Sequence, residues 1–352
     1  MMKIAFARAA AQAGASAVGV RGGCCSTTIP IISAAAGARA TVMARRLFSS
    51  ASAATPSSTT TNTVPPVVST VPLVYDLHSP ENPTVPNKET QPIIFIHGLF
   101  GSKKNNRSIS KQLARDLGRH IFAIDLRNHG ESPHDPRHDY TAMSEDVAAF
   151  IRSHGLKDST LIGHSMGAKA AMTVALTHPD LVQNIISVDN APVDARLQSS
   201  FARYIQGLKK IEEAGVSSLS AADKILEPYE KDLVVRQFLL GNLHRPRVDP
   251  GGKPSPTLQF RNPLGIIGKS LDHMGDFPFK DPHRVRFGKP ALFVRGTKSH
   301  YVPDEVIPLI GQFFPLFELV DVEGGHWVIS ENPEAFRQGE FSLLLGWTMI
   351  WV

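Results

Sequence analysis

Residues 160–171 read Thr160-Leu161-Ile162-Gly163-His164-Ser165-Met166-Gly167-Ala168-Lys169-Ala170-Ala171. The first three residues are a short apolar run of the kind that forms a buried strand, and the last four are small or helix-forming. Between them lies the pattern Gly-x-Ser-x-Gly. A serine on a sharp strand-to-helix turn sits in strained backbone and needs small neighbours, because strand and helix approach closely around it. Such a turn lifts the hydroxyl above the sheet edge. Ser165 is therefore the candidate nucleophile, and the strand before it and the helix after it carry more weight than the pattern.

Outward from this turn, short apolar runs alternate with helical patterns. Pro92–Ile96, Ile121–Asp125, Thr160–Ile162, Asn184–Val188, Ala291–Val294 and Glu318–Val322 are the candidate strands. Several are apolar throughout, as strands covered on both faces of a parallel sheet must be. Asn106–Leu117 and Thr141–His154 carry apolar residues at helical spacing, and Ser165–Thr177 runs as a helix to the stop signal His178-Pro179. This alternation predicts an α/β fold with a mostly parallel, doubly wound sheet. The alternation breaks over 193–286. That stretch has helical patterns at Phe201–Ala214 and Ala221–Leu243, then a Gly/Pro-rich loop, and is too long for one crossover. It is expected to be a helical cap inserted over the strand ends.

Serine is a weak nucleophile and needs a neighbouring base. His326 lies in Gly324-Gly325-His326-Trp327, just after the last candidate strand, where glycines let the loop turn the imidazole back over the sheet. His97 follows a strand directly and is better placed to support a loop. His164 adjoins the serine, with its side chain expected to point away from it. The base in turn needs a carboxylate on its other nitrogen. Asp189 ends the strand that follows the serine turn and reaches the same sheet edge. Asp304 is the alternative, and its blander role is to open the next helix. A developing oxyanion needs two backbone N–H groups. Met166, after the nucleophile, and Leu99, in His97-Gly98-Leu99-Phe100-Gly101, are the candidates, against a plain turn made by the two glycines. The segment His134-Asp135-Pro136-Arg137-His138-Asp139 has metal-ligand residue types, but Pro136 breaks the helix that would align the histidines, and a solvated loop is expected. The glycines after Ile96 lack the spacing of a phosphate loop. No metal or redox cofactor is implied.

The formal charge of the chain, +5, comes from its beginning. Residues 1–75 hold six basic residues and no Asp or Glu, which leaves 31 basic against 32 acidic residues for the body. That balance gives no reason to propose a nucleic-acid partner. The acid-free leader, rich in Ala, Ser, Thr and Arg, has the composition of a mitochondrial transit peptide over 1–48. A Ser/Thr/Pro linker is expected over 49–72, with order from Leu73, a body over 73–340 and an apolar tail over 341–352. Both cysteines, Cys24 and Cys25, lie in the leader, so the body has no disulfide or thiolate site. No apolar run reaches the roughly 20 residues that span a bilayer.

Four stretches together resemble the mitochondrial α/β-hydrolase domain-containing protein 11 family: Pro92–Ser102 (PIIFIHGLFGS), Asp125–Ser132 (DLRNHGES), Gly163–Gly167 and Gly325-His326-Trp327. That group includes fungal ethanol acetyltransferases and small bacterial esterases. The resemblance runs from about Pro92 to Phe336 and includes Phe238-Leu239-Leu240-x-Asn242-Leu243. It implies an α/β-hydrolase fold and a Ser-Asp-His hydrolase of esters or thioesters, with the acid at Asp189. A small-molecule ester or an acyl-CoA is the implied substrate, some members passing acetyl from acetyl-CoA to an alcohol. The implied location is mitochondrial, in the matrix or associated with the inner membrane. Two features depart from the pattern. Ser299 stands where many α/β-hydrolases place the acid, and the expected closing helix gives way after Phe336 to Arg337-Gln338-Gly339-Glu340 and the apolar tail. The rival class is a non-catalytic scaffold of the same fold that binds or protects a partner.

Overall fold

The computed structural model describes residues 68–80, 91–195, 199–248, 252–253 and 255–338. The expected transit peptide 1–48, most of the expected linker 49–72 and the tail 341–352 lie outside the described residues. Anchored chain begins a few residues before Leu73. The carbonyl of Ser69 accepts from Arg127 Nη2 at 2.9 Å, and the Val71 N–H donates to Asp146 Oδ1 at 2.8 Å.

Seven strands form the central sheet: β1 (Tyr75–His78), β2 (Ile93–Ile96), β3 (Ile121–Ile124), β4 (Ser159–His164), β5 (Val182–Val188), and, after a two-stranded hairpin of β6 (Leu243–His244) and β7 (Gln259–Phe260), β8 (Ala291–Gly296) and β9 (Phe317–Val322). Their spatial order is β1-β3-β2-β4-β5-β8-β9, and all neighbours are parallel except β1, which pairs antiparallel with β3. The strand at β1 has no apolar run to announce it. It is an edge strand whose residues alternate between solvent and sheet, so Tyr75 and Leu77 stand exposed. By contrast every residue of β2 and β4 is buried. Strands covered on both faces are apolar throughout, and so the sequence marks the central ones plainly.

Helices α1 (Arg107–Leu117), α2 (Tyr140–Ser153) and α3 (Met166–Thr177) connect the first strands. Asp139 caps α2 by accepting the Ala142 N–H, and Gly118 ends α1 in the left-handed conformation. Between β5 and β8 the chain forms α4 (Ser199–Ala214), α5 (Leu219–Leu226), α6 (Leu233–Leu240), the hairpin, α7 (Leu264–Lys269) and α8 (Leu271–Gly275). The single helical pattern expected over Ala221–Leu243 is two helices. Pro228 cannot continue α5, and Asp232 opens α6 by accepting the Val234 and Val235 N–H groups. Helix α9 (Ile307–Phe313) precedes β9, and α10 (Val328–Glu331) follows it. Residues 333–338 are helical as far as the described chain runs, so a closing helix does begin across Phe336.

Candidate active site

Ser165 joins β4 to α3 at φ 55° and ψ −115°, a conformation an L-residue adopts only under constraint. The constraint is close packing. A Cβ on Gly163 would lie 2.2 Å from the Gly167 carbonyl oxygen, and one on Gly167 would lie 2.4 Å from the Ile96 carbonyl oxygen. Glycine at both places lets α3 press against β2 and β4, and the turn between them has no slack. Asn190 Nδ2 donates to the Ser165 carbonyl at 3.1 Å from the end of β5. Met166 opens α3, so its N–H has no acceptor within the helix.

The structure brings Ser165, His326 and Asp189 into one chain of hydrogen bonds. His326 Nε2 lies 2.8 Å from Ser165 Oγ, and His326 Nδ1 lies 2.6 Å from Asp189 Oδ2. The carboxylate is fully buried and fixes the tautomer, with Nδ1–H donating to it and Nε2 left to accept from the serine hydroxyl. Two further donors hold the carboxylate. The Gly296 N–H reaches Oδ1 at 3.1 Å, and Ser299 Oγ reaches Oδ2 at 2.5 Å. The serine that departs from the common pattern thus stands beside the carboxylate as a donor to it. Asp304 is elsewhere: it is 82% exposed and pairs with Arg295 at 2.5 Å. Tyr301 stacks on the His326 ring at 3.9 Å and 19°. His164 Nε2–H donates to the His326 carbonyl at 2.7 Å, so its side chain supports the loop that carries His326.

The turn Gly98–Gly101 closes through the Gly101 N–H and the Gly98 carbonyl at 2.9 Å, with Phe100 at φ 60°. It is a glycine turn, and it is more tightly fixed than a glycine turn alone requires. His97 Nδ1–H donates to the Gly98 carbonyl at 2.8 Å, while its Nε2 accepts the Leu126 N–H at 3.0 Å. The Phe100 N–H donates to His129 Nε2 at 3.2 Å, and the Phe100 carbonyl accepts from Asn242 Nδ2 at 2.6 Å. Among the described residues no acceptor takes the Leu99 N–H. Leu99, Ser165 and Met166 line one narrow cavity of about 10 Å³, together with Lys169, Tyr140 and Tyr301. The loop after β3 braces this turn: Asp125 accepts from the Lys103 N–H at 2.6 Å and from its Nζ at 3.0 Å, and Arg127 makes a buried two-pronged pair with Asp146 at 2.6 and 2.8 Å.

Four residues at the site had no clear sequence signal. Asn190 and Tyr301 touch the turn and the imidazole. Lys169, 1% exposed, donates Nζ to the carbonyls of Gly275 and Asp276, each at 2.9 Å, and burial lowers its amine to about 8. Asn242 lies in the Phe238–Leu243 segment that carried part of the resemblance, which was its only trace. His138 corrects an expectation: it is buried beside Asn128 and His129, and only His134 of that pair stands on an exposed loop.

Residues 91–210 match the alpha/beta hydrolase fold family. A "probable alcohol acetyltransferase" of Saccharomyces cerevisiae is 43% identical over 256 residues, covering 70% of this chain and 75% of the yeast protein. An sn-1-specific diacylglycerol lipase ABHD11 of Xenopus tropicalis is 38% identical over 272 residues, covering 76% and 80% of the two chains. This chain belongs to that α/β-hydrolase family. Among solved structures a marine microorganism esterase matches with a TM-score of 0.68 and 30% identity, over 78% of this chain and 99% of that one. The fold expected from the strand and helix alternation is the one the family has.

The histidines packed around the site must remain neutral. Burial holds His97 and His129 below the ordinary range, lowers His138 to about 3, and with His326 beside it lowers His164 to about 4. The unfolded chain takes up these protons near pH 6.5, whereas the folded protein resists them to lower pH. Stability is therefore full above pH 6.5 and falls as pH drops toward 4. Thermal melting should fall by roughly 10 °C between pH 7.5 and pH 5. A flat melting temperature across that window would contradict the neutral cluster.

Proposed function

We propose that this chain is a serine hydrolase of carboxylic esters or thioesters, with Ser165 as nucleophile, His326 as base and Asp189 as the acid that orients it. The observation that carries this reading is the unbroken sequence of hydrogen bonds from Ser165 Oγ through His326 to Asp189, at 2.8 and 2.6 Å. His326 Nε2 takes the hydroxyl proton as Ser165 Oγ attacks the substrate carbonyl. The charge that develops on the carbonyl oxygen is received by the Leu99 and Met166 N–H groups. Collapse of the tetrahedral intermediate expels the alcohol or thiol, which leaves with the proton from Nε2, and an acyl-enzyme remains on Ser165. Water or an alcohol then gives its proton to Nε2 and attacks the acyl carbon, and collapse of that second intermediate breaks the bond to Oγ, returns the proton from Nε2 to Ser165 and releases the acid or the new ester. None of these steps draws on a cofactor.

We read the acyl group as a small one, acetyl. The relatives named for alcohol acetyl transfer support the same reading, with an acetyl ester or acetyl-CoA as donor. The helices between β5 and β8 act as the cap that decides whether water or an alcohol reaches the acyl-enzyme. The acid-free leader supports a mitochondrial location.

Ser165→Ala should lower esterase turnover by at least about three orders of magnitude with unchanged folding. Asp189→Asn should lower it steeply and Asp304→Asn by little, so the opposite ranking of the two would refute the acid. In the same assays, added ethanol should yield ethyl acetate from an activated acetate or acetyl-CoA; its absence would leave a plain hydrolase. Residues 1–48 fused to a reporter should carry it to mitochondria, and a cytosolic reporter would reject the leader.

A further inference from the structure

The helical insertion between β5 and β8 is bonded to both elements that carry the proposed oxyanion donors. On one side, Lys169 Nζ and the Tyr140 hydroxyl, from α3 and α2, donate to the carbonyls of Gly275 and Asp276 and of Met274 at the end of α8. Helix α3 begins with Met166. On the other side the connection includes a side-chain hydrogen bond. Asn242, just past α6 and 6% exposed, donates Nδ2 to the Phe100 carbonyl at 2.6 Å. The partner is a carbonyl, so the amide nitrogen is the atom that must face it.

Phe100 is the residue where this bond has most leverage. It stands at φ 60°, a conformation that a bulky side chain keeps only when its surroundings hold it. Its N–H is held by His129 and its ring packs on Phe201 of α4 at 6.3 Å, so α4 and Asn242 grip the same residue from the insertion. The peptide before it carries the Leu99 carbonyl, and the Leu99 N–H is one residue further back. If Phe100 relaxes out of the left-handed region, the turn reorients and carries with it the N–H of Leu99, which lines the cavity beside Ser165.

We propose that Asn242 is a positioning residue for the oxyanion hole: by holding the Phe100 carbonyl it keeps the Leu99 N–H aimed at the developing charge, and so makes the catalytic power of the site depend on the seating of the insertion. This rests on the reading that Leu99 and Met166 receive the oxyanion. It reaches beyond that reading because it assigns the geometry of the hole to a residue about 140 positions away in the chain that touches neither substrate nor nucleophile.

The test uses the purified full chain and a matched pair of aryl esters, one with a carbonyl and one with a thiocarbonyl. A sulfur anion accepts hydrogen bonds weakly, so the ratio of the two turnover rates reads the oxyanion hole and is indifferent to the base and to folding yield. In Asn242→Ala the oxo-ester kcat should fall about tenfold to a hundredfold, with KM within about twofold and the thiono-ester rate within about threefold. Asn242→Asp keeps the shape but presents a carboxylate that cannot donate. Its rate ratio should be low at neutral pH and recover toward the wild-type ratio as pH falls and the acid regains an O–H donor, while that of Asn242→Ala stays low. Asp223→Asn, which breaks the Arg236 pair inside the insertion, should keep the wild-type ratio. A wild-type ratio in both Asn242 variants, whether or not melting temperature falls, would overturn the positioning role. A wild-type enzyme that turned over both esters equally would overturn the oxyanion reading itself, and the proposal with it.

Discussion

The close approach of α3 to β2 and β4 is the constraint on which the rest of the site depends. It exists because Gly163 and Gly167 have no Cβ to meet the backbone oxygens opposite them. Ser165 is thereby held at φ 55°, a conformation that costs a non-glycine residue on the order of 1–3 kcal/mol and survives only in a rigid frame. The frame is a parallel sheet whose central strands are fully buried. In return, the hydroxyl stands above the strand ends, where the loops after β2, β5, β8 and β9 all converge.

Each of those loops is then fixed by hydrogen bonds that require neutral or paired groups. Asp189, itself at φ 53°, is approached by three donors from β8, the loop after it and His326. The loop after β2 is held by the ring nitrogens of His97 and His129, which serve as acceptors for backbone N–H groups and so exclude protonation. The buried ion pair of Lys103 with Asp125 ties that loop to the chain after β3, and that of Arg127 with Asp146 ties the chain after β3 to α2. An unpaired charge in either place would be costly. The hydrogen bonds and ion pairs named here hold the site's loops in place, and those accepted by neutral histidine rings make the site depend on pH.

Much of this was legible in the sequence because the decisive residues are local in the chain. The strand, the Gly-x-Ser-x-Gly turn and the small-residue helix occupy one window, and the Gly-Gly-His loop follows an apolar run directly. Asp189 was readable as the end of the next strand. What escaped depends on contacts between distant segments. Strand β1 has one exposed face and no apolar run. Asn242 meets Phe100, and Lys169 meets Gly275, across more than a hundred residues, and neither residue type announces such a bond. Ser299 looked like a loss of the acid. In the fold it is a donor to the carboxylate at Asp189, since the two side chains meet at one point above the sheet. Pro228 split a helix that periodicity alone had joined.

The central claim is that the acyl group passes through Ser165. Rapid quenching of the enzyme during turnover of an activated acetate, followed by mass analysis of its peptides, tests this directly. The account predicts one acetyl group on the peptide that contains Ser165, on that hydroxyl, formed and lost at rates compatible with turnover. Turnover with no such adduct, or with acetyl on another residue at a competent rate, would contradict it.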